Sequence, residues 1–413
     1  MQEKTILIIG LVWPEPKSSA AGTRMVQLLN MFLEEQYTVV FASAAAKGEF
    51  SADLTSLGVN EVPIKLNVDS FNVFVRSLQP EMVMFDRYMI EEQYGWRVRQ
   101  ECPTALTLLD TEDLHCLRAA RQAAIKNHTE LSQLDLFNDI AKREIAAILR
   151  SDLSLIISQA EVELLVQEYG VNRDLLYFLP FLETPLTPAA VDSWQPYDAR
   201  EGFMFIGNYL HEPNWNTLQT LKTTIWPLLR KRLPGVKMHI YGAYASAKVS
   251  QLQNVAEHFL VHGRADSATE VMSKHRLLLA PIKFGAGLKG KFIDAMQTGT
   301  PSITTNIGAE AMNDNLLWGG AICDDLTEFV STAARLYADC GKWLQAQQNG
   351  LRILNEKYDK GLFIPGFMQR LQYLKGNLSQ HRRKNFMGQI LQHHSLNSNK
   401  YMSLWISEKN KLK

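Results

Sequence analysis

The sequence predicts an α/β protein with two doubly wound parallel sheets that face each other across a cleft. Short apolar runs alternate along the chain with longer segments of helical periodicity, the pattern of strands that helices bury on both faces. A segment with three prolines interrupts this alternation near the middle of the chain, and the alternation then begins again. The interruption favours two separate sheets over one large sheet.

Five apolar runs predict the strands of the first sheet: TILIIG, TVVFAS, MVMFD, ALTLLD and LSLIIS, which begin at residues 5, 38, 82, 105 and 153. Helical periodicity over TRMVQLLNMFLEEQ and FNDIAKREIAAILRS predicts two of the helices that cover this sheet. We assign residues 1–182 to this first domain.

The proline-containing stretch ETPLTPAAVDSWQPYDAREG has no helical or strand period, so residues 183–201 are predicted to link the domains. The runs FMFIG, KMHIYG, FLVHG, RLLLAPI and SITT then predict a second sheet, with a helix over residues 216–232, within a domain of residues 202–358. Ligands of open α/β sheets bind beyond the carboxyl ends of the strands, so the loops that follow these runs should share one cleft.

The last part of the chain differs in composition from the two domains. Residues 359–375 are predicted to form a C-terminal helix that crosses back to the first domain, and residues 376–413 a basic tail. From Lys375 onward the chain has eight Lys or Arg against one Glu. Two interpretations stay open, a solvated and poorly ordered tail or peripheral contact with an anionic membrane.

Charge and cysteine content exclude several classes of function. The formal net charge is zero, which disfavours a nucleic-acid partner held by the whole surface. The four cysteines form no C-x-x-C pair, which disfavours a zinc ribbon, a redox motif or a disulfide framework. No segment reaches the roughly 20 apolar residues of a membrane-spanning helix. We expect a cytoplasmic protein, peripheral at most on the inner face of the membrane, with neither a metal site nor a cofactor.

The stretch GAGLKGKF, residues 285–292, has the spacing G-x-x-x-x-G-K of a nucleotide-triphosphate P-loop. Phe292 stands where that loop needs a hydroxyl for magnesium, which disfavours ATP hydrolysis. Glycine amides, a helix start and two lysines would still suit a diphosphate. The alternative is a glycine-rich turn with solvated lysines.

These residues carry a family resemblance. FMFIGNYLHEPNWN, VHGRADSATEVM and LLLAPIKFGAGLKGKFIDAMQTGTPSITTNIGAEAM resemble the nucleotide-sugar half of the bacterial group 1 glycosyltransferases, often called family 4, which have the GT-B fold of two Rossmann-like domains. The first half resembles the acceptor-side domain of that family more loosely, through EPKSSAAGTRMVQLL and LLDTEDLHCLRAAR. The resemblance implies a metal-independent, retaining transfer from a UDP- or GDP-sugar to a glycan, lipid-linked or other hydroxyl acceptor in cell-surface polysaccharide synthesis.

The resemblance also implies which residues bind the donor. Lys289 would neutralise the diphosphate beside the backbone amides that precede it, and Asp294 would take the second place of the family's E-x7-E pattern, which binds ribose hydroxyls. The expected donor-binding residues are Gly22, Arg24, Gly207, Asn208, His211, Tyr241, Gly242, Arg264, Ala286, Gly287, Leu288, Lys289 and Asp294.

One position departs from the family pattern. Ala286 stands where many members carry the first glutamate, which contacts the donor sugar. The departure leaves the identity of the sugar open and assigns no carboxylate nucleophile to this half.

The expected catalytic residues are His115, Asp110 and Lys289. In the family a histidine in the place of His115 hydrogen-bonds the donor sugar. Asp113 is equally well explained as the N-cap of the following helix, and Arg24 as a surface ion-pair residue.

Two further functions stay open at this stage. The missing first glutamate is compatible with a catalytically silent relative that acts as a partner subunit of a glycan-assembly complex. A nucleotide-sugar epimerase would use the same two-sheet fold. The expected ligands are a nucleotide-sugar and a glycan or lipid-linked acceptor, without nucleic acid.

Overall fold

The computed structural model describes residues 4–130 and 133–411, and its strands form two sheets. The strands of the first sheet are β1 (Thr5–Gly10), β2 (Thr38–Ser43), β3 (Asn60–Pro63), β4 (Met82–Asp86), β5 (Leu106–Asp110), β6 (Leu153–Ile156) and β7 (Leu176–Phe178). Those of the second are β8 (Phe203–Ile206), β9 (Met238–Tyr241), β10 (Phe259–Gly263), β11 (Leu277–Ala280), β12 (Ser302–Thr304) and β13 (Gly320–Ile322).

Helices cover both sheets and form the C-terminal part of the described chain. Those up to the second sheet are α1 (Ala20–Glu34), α2 (Ser70–Leu78), α3 (Tyr88–Glu101), α4 (His115–Asn127), α5 (Asp139–Arg150), α6 (Gln159–Gln167) and α7 (Pro188–Asp192). The others are α8 (Glu212–Thr220), α9 (Trp226–Arg232), α10 (Ala247–Ser250), α11 (Ala268–Ser273), α12 (Gly290–Gln297), α13 (Asn306–Ala309), α14 (Leu326–Ala338), α15 (Cys340–Lys357), α16 (Lys360–Gly376), α17 (Leu378–Lys384) and α18 (Phe386–Lys411).

Both sheets are parallel and reverse their strand order in the middle. The orders are β3-β2-β1-β4-β5-β6-β7 and β10-β9-β8-β11-β12-β13. The reversals lie between β1 and β4 and between β8 and β11, where the loops beyond the strands diverge to opposite faces and leave a crevice. The predicted fold class is therefore confirmed, and the loops at these two crevices build the site.

The apolar runs form strands because helices bury them on both faces. Ile6, Leu7, Ile8 and Ile9 of β1 have no exposed surface, and alternate residues belong to the two core clusters on opposite faces of the sheet. The second sheet has its own core, in which Trp226 and Trp343 are among the largest fully buried side chains. Burial on both faces removes the polar alternation that a half-exposed strand would show.

The C-terminal helices pack on the first domain. Phe367, Leu371 and Leu374 of α16 are buried in the same core cluster as Ile8 of β1. Helix α18 packs against α3 and α5. The interpretation of the basic tail as solvated and poorly ordered is therefore replaced by two helices, held in part by Arg382, whose guanidinium forms an ion pair with the buried carboxylate of Asp152.

Several elements differ from the sequence-based expectations. The short strands β3, β7 and β13 have no extended apolar run and were not predicted. The helix expected from residue 216 begins at Glu212 and continues through a π-helical segment, Leu221–Ile225, into α9. The linker contains the short α7, whose first turn is capped by Thr187. The predicted domain boundaries themselves stay predictions.

Arg24 and Asp110 form an ion pair that is buried inside the first domain. Their side chains are 1% and 0% exposed, and Arg24 Nη2 lies 2.9 Å from Asp110 Oδ1. Arg24 Nη1 also donates to the carbonyls of Leu179 and Pro180. The assignment of Arg24 to the donor site and of Asp110 to catalysis is therefore corrected, because the polar atoms of both side chains are hydrogen-bonded to buried partners.

We expect Arg24→Met to lower the free energy of unfolding by about 3–5 kcal/mol, because it leaves the Asp110 carboxylate buried without its partner. Urea denaturation followed by circular dichroism measures the loss. The double variant Arg24→Met/Asp110→Leu should recover most of it, and Arg352→Met, at an exposed pair with Glu356, should change little. A single variant as stable as the parent would contradict a structural role for the pair.

Candidate active site

A cavity of about 530 Å³ lies in the cleft between the domains. Its walls come from the start of α1, the loops after β4 and β5, the loop between β8 and α8, and the loop between β11 and α12. These are the loops at the carboxyl ends of the strands that flank the two crevices. The topology therefore places the cavity where the sequence analysis expected a ligand.

Helices α1 and α12, one from each domain, begin at this cavity. Their first residues touch, since a Cβ atom added to Gly290 would lie 2.7 Å from the Cβ of Ala20. Neither helix has an acidic residue in its first turn, so nothing within the turn offsets the positive end of either helix dipole. Two positive helix ends in contact favour an anion between or beside them.

Lys289 and Lys291 add two cationic side chains to the same wall. Lys289 Nζ donates to the carbonyl of Gly287 at 2.8 Å, and Lys291 Nζ donates to Asn214 Oδ1 at 2.7 Å. Burial lowers the pKa of Lys289 to about 8, and burial together with the neighbouring Lys289 lowers the pKa of Lys291 to about 7. Both lysines are part-buried in the cavity wall and each has a hydrogen-bond partner in the protein, which disfavours the alternative of solvated lysines, and an anion would favour the charged form of both.

The amide of Gly287 has a protein partner. Glu161 Oε1 of the first domain accepts from Gly287 N at 2.7 Å and from Leu114 N at 3.1 Å. Burial and the nearby Asp113 raise the pKa of Glu161 to about 8, so its carboxyl is mostly neutral at pH 7. Gly287 does not line the cavity, whereas Ala286 and Leu288 do. The predicted role of the Gly287 amide in holding phosphate is therefore corrected.

Asp294 lies on the cavity wall one turn into α12, near Glu183 at the start of the linker. Burial and the Glu183 carboxylate raise the pKa of Asp294 to about 7. Glu183 itself is held by amide donors from Gln27 and Gln297, one from each domain. This end of the cavity thus presents two carboxyl groups that can accept hydrogen bonds from hydroxyls.

His115 lines the opposite part of the cavity with Asp113 and Arg118. His115 Nε2 lies 3.4 Å from Asp113 Oδ1, and Asp113 also pairs with Arg118. Burial lowers the pKa of His115 to about 4 although Asp113 opposes this shift, so the imidazole is neutral at physiological pH. A neutral imidazole can donate and accept hydrogen bonds at once.

Asp113 does not cap α4. The first amides of this helix donate instead to carboxyl groups of other helices, His115 N and Cys116 N to Glu144 and Leu114 N to Glu161. The N-cap alternative for Asp113 is therefore wrong, and its side chain stays in the cleft. The sequence could not show this, because the capping carboxyls lie far from α4 along the chain.

Arg87 and Glu112 are cavity residues that the sequence analysis missed. Each has a left-handed backbone, with φ of 72° and 62°, which is uncommon outside glycine and often marks a functional site. Burial and the neighbouring Asp110 raise the pKa of Glu112 well above its usual range. Arg87 directly follows β4, and Glu112 lies two residues after the end of β5. The rule that ligands bind beyond the carboxyl ends of strands, which we applied to the second sheet, would therefore have identified both residues.

The remaining predicted residues divide into two groups. Those that line the cavity are Gly207, Asn208, His211, Gly242 and Arg264. The Tyr241 side chain does not: its hydroxyl bonds to His275 and its ring stacks on His262, so its nucleoside role is corrected. Gly22 also lies outside the cavity and donates its amide to the N-cap hydroxyl of Ser19. The roles of the lining residues in binding stay predictions.

Gly242 is required by a close approach of two strands. A Cβ atom there would lie 2.1 Å from the carbonyl oxygen of Gly207 and 2.4 Å from the ring of Tyr209. Only glycine lets the end of β9 come this close to the loop after β8. Gly242 and Ala243 both line the cavity at this point.

Three contacts hold the domains together around the cavity. Arg121 of α4 donates to both carboxylate oxygens of Glu310 and to the carbonyl of Gly285. Tyr244 donates to the Glu15 carboxylate, and the guanidinium of Arg264 lies 4.2 Å from the ring centre of Phe50. The loop that carries Lys289 is therefore fixed by the first domain as well as by the second.

Comparison with known proteins agrees with this geometry. Residues 200–339 match a family model described as "Glycosyl transferases group 1". These residues are similar to group 1 glycosyltransferase domains. They contain all of the second sheet, the loop from Gly285 to Lys289, and Asp294. No curated protein sequence gives a significant match to the chain.

Solved structures that resemble most of the chain have the GT-B fold. Sucrose-phosphate synthase from Thermosynechococcus elongatus is 14% identical with a TM-score of 0.67, covering 90% of this chain and 99% of its own. Anabaena HepE in complex with UDP and glucose is 11% identical with a TM-score of 0.65, covering 90% and 100%. TarM of S. aureus, with UDP, α-GlcNAc-glycerol and fondaparinux, is 11% identical with a TM-score of 0.57, covering 73% and 58%.

We expect the affinity for UDP to fall about tenfold or more between pH 7.5 and 9, because Lys289 and Lys291 lose their protons in or below this range. The protonated lysines attract the diphosphate and the neutral ones do not, so the affinity for UDP must fall as the pH rises. Isothermal titration calorimetry measures it. Lys289→Arg/Lys291→Arg, which stays charged, should flatten the profile, and a flat profile in the parent would place the diphosphate elsewhere.

Proposed function

We propose that this protein is a retaining glycosyltransferase that moves a sugar from a nucleoside-diphosphate sugar to a hydroxyl acceptor. The observation that carries the proposal is the contact between the starts of α1 and α12 with Lys289 and Lys291 beside it. The two helix ends and the protonated lysines make a positive site in the cleft, on a wall that belongs to the segment matched by the group 1 glycosyltransferase model.

The diphosphate of the donor would lie at this positive site. Amides in the first turns of α1 and α12 and the ammonium of Lys289 would bind its oxygens. Negative charge on the diphosphate grows as the bond to the sugar breaks, so these fixed groups stabilise the transition state more than the bound donor.

The nucleoside would lie toward Asp294 and Arg264. A carboxylate at Asp294 can accept from two vicinal ribose hydroxyls, and its ionised form would be favoured once those donors arrive. We favour UDP over GDP because HepE and TarM, which share the fold, are known in complex with UDP.

The sugar would lie toward His115 and Asp113. The neutral imidazole of His115 can donate to or accept from a sugar hydroxyl without a charge that competes with the diphosphate. Arg118 keeps the Asp113 carboxylate ionised and holds its pKa at about 2. These residues would orient the anomeric carbon toward the open side of the cleft, from which the acceptor enters.

The transfer follows a same-face route. The acceptor oxygen bonds to the anomeric carbon as the bond from that carbon to the phosphate oxygen breaks, and the acceptor proton passes to the departing phosphate oxygen. This same-face route needs no carboxylate nucleophile, which agrees with Ala286 in the place of the family's first glutamate. An acceptor of glycan type is favoured by the glycan ligands of TarM.

The charges of the site also support transfer without a divalent metal. Lys289, Lys291 and two helix ends supply the positive charge that magnesium would otherwise bring to the diphosphate.

Lys289→Ala should lower turnover about 100-fold and weaken UDP binding about tenfold, because it removes a charge that acts mostly on the leaving diphosphate. A panel of nucleotide-sugars screened first by thermal stabilisation and then for transfer or hydrolysis supplies the assay. The matched control is Lys283→Ala, an exposed lysine of the same loop outside the cavity. UDP binding without turnover by any donor would contradict the proposal and favour the silent partner subunit.

The product should keep the anomeric configuration of the donor sugar, and EDTA should leave the rate unchanged. Proton NMR coupling constants of the product report the configuration directly. An inverted product would exclude the same-face route, and activity lost with EDTA and restored by magnesium would exclude metal independence. An epimerised sugar formed without acceptor would identify an epimerase instead.

A further inference from the structure

Helices α17 and α18 carry a surface that neither the cleft nor the transfer reaction uses. Six large apolar side chains of α18 are exposed: Phe386, Met387, Ile390, Tyr401, Met402 and Trp405. The first three lie in its first two turns and the last three near its C-terminal end. Trp405 is 62% exposed, which is unusual for a side chain that gains most from leaving water.

These side chains share one side of the helix. At 100° per residue, Phe386, Ile390, Tyr401 and Trp405 fall within about 100° of arc, opposite the buried Gly388. The stripe spans roughly 28 Å at 1.5 Å per residue and is interrupted between Ile390 and Tyr401, where the exposed Asn397 lies on the same side. The other side of α18 packs on α3 and α5, so the apolar stripe faces outward.

Basic residues flank the stripe. Arg383 and Lys384 precede it, Lys409 lies over the ring of Trp405 at 5.0 Å, and the half-buried Lys400 beside it lies over the ring of Trp96 at 5.9 Å. None of the four forms an ion pair with a carboxylate in the part of the chain that the structure describes. The surface therefore has an excess of positive charge beside its apolar groups.

A second cavity, of about 370 Å³, lies where α17 and the start of α18 meet the first domain. Its cationic lining includes Arg99, Arg150, Arg382 and Arg383, against one acid, Asp152. Arg382 is paired with Asp152 and Arg150 with Glu91, whereas Arg99 and Arg383 have no carboxylate within ion-pair distance among the described residues. Two unpaired arginines at one cavity favour an anionic group such as a phosphate.

We propose that this surface docks on a bilayer that contains anionic phospholipid. Aromatic rings and methionines would enter the boundary between headgroups and acyl chains, and the flanking cations and the cavity would bind headgroup phosphates. No helix among the described residues is long and apolar enough to cross a bilayer, so α18 would lie in the plane of the interface. A second copy fits less well, because pairing would bring four unpaired cations from each chain together. The proposal does not depend on the transferase activity.

Co-sedimentation of the full chain with vesicles tests the proposal. We expect binding to vesicles of phosphatidylcholine with phosphatidylglycerol, little binding to phosphatidylcholine alone, and release by high salt. Arg383→Gln/Lys384→Gln should lower the partition coefficient about 25-fold, fivefold for each charge, and Trp405→Ser about tenfold. The matched controls are Lys231→Gln/Arg232→Gln, an exposed basic pair on α9, and Leu317→Ser, an exposed leucine of the second domain, which should bind like the parent.

Four outcomes would overturn the proposal. Equal binding to neutral and anionic vesicles would remove the role of charge. Thermal stabilisation by inorganic phosphate without vesicle binding would make the cavity a site for soluble phosphate. A dimer in light scattering that Trp405→Ser dissociates would make the stripe an interface between copies. Variants that bind like the parent, while UDP binding shows that all are folded, would place the membrane contact elsewhere.

Discussion

Contact between the first residues of α1 and α12 is the constraint on which the cleft depends. Two positive helix ends repel each other, and the contact is possible because Ala20 and Gly290 are small and the remaining interdomain contacts hold the loop in place. A larger residue at Gly290 would move the second domain away from α1. Lys289, Asp294 and the amides of both helices would then no longer face one ligand. A diphosphate would reduce the repulsion between the two helix ends, so this repulsion favours the binding of an anion at the contact.

Buried carboxyl groups decide which helix ends remain positive. Glu144 and Glu161 accept from the first amides of α4, so that helix brings His115 to the cavity with its own positive end already satisfied. The helix ends that stay positive at the cavity are thus those of α1 and α12. A charged imidazole at His115 would attract the diphosphate away from Lys289. The neutral form of His115 therefore suits the proposed position of the diphosphate.

How much the sequence could predict depended on the distance between interacting residues. The strands with long apolar runs and the anion loop from Gly285 to Lys289 were found because strand, turn and helix start are adjacent in the chain. The short strand β3, with Asn60 and Glu61, lies at a sheet edge and lacks such a run. Arg24 and Asp110 are 86 residues apart and Glu161 and Gly287 are 126 apart, so no local pattern could show that these polar groups satisfy each other.

Glu161 connects the two halves of the cleft. Its Oε1 atom accepts from Leu114 N, which leads into α4 and His115, and from Gly287 N, which leads into Lys289 and α12. The carboxyl group therefore holds the segment before α4 and the loop before α12 in place relative to each other, through the single atom Oε1. The site also lacks a glutamate at residue 286, where many members of the family contact the sugar. Glu161 accepts both amides through Oε1 and does not line the cavity, so it positions the loop. Under the proposed function, recognition of the sugar therefore falls to cavity residues of the first domain such as His115 and Asp113.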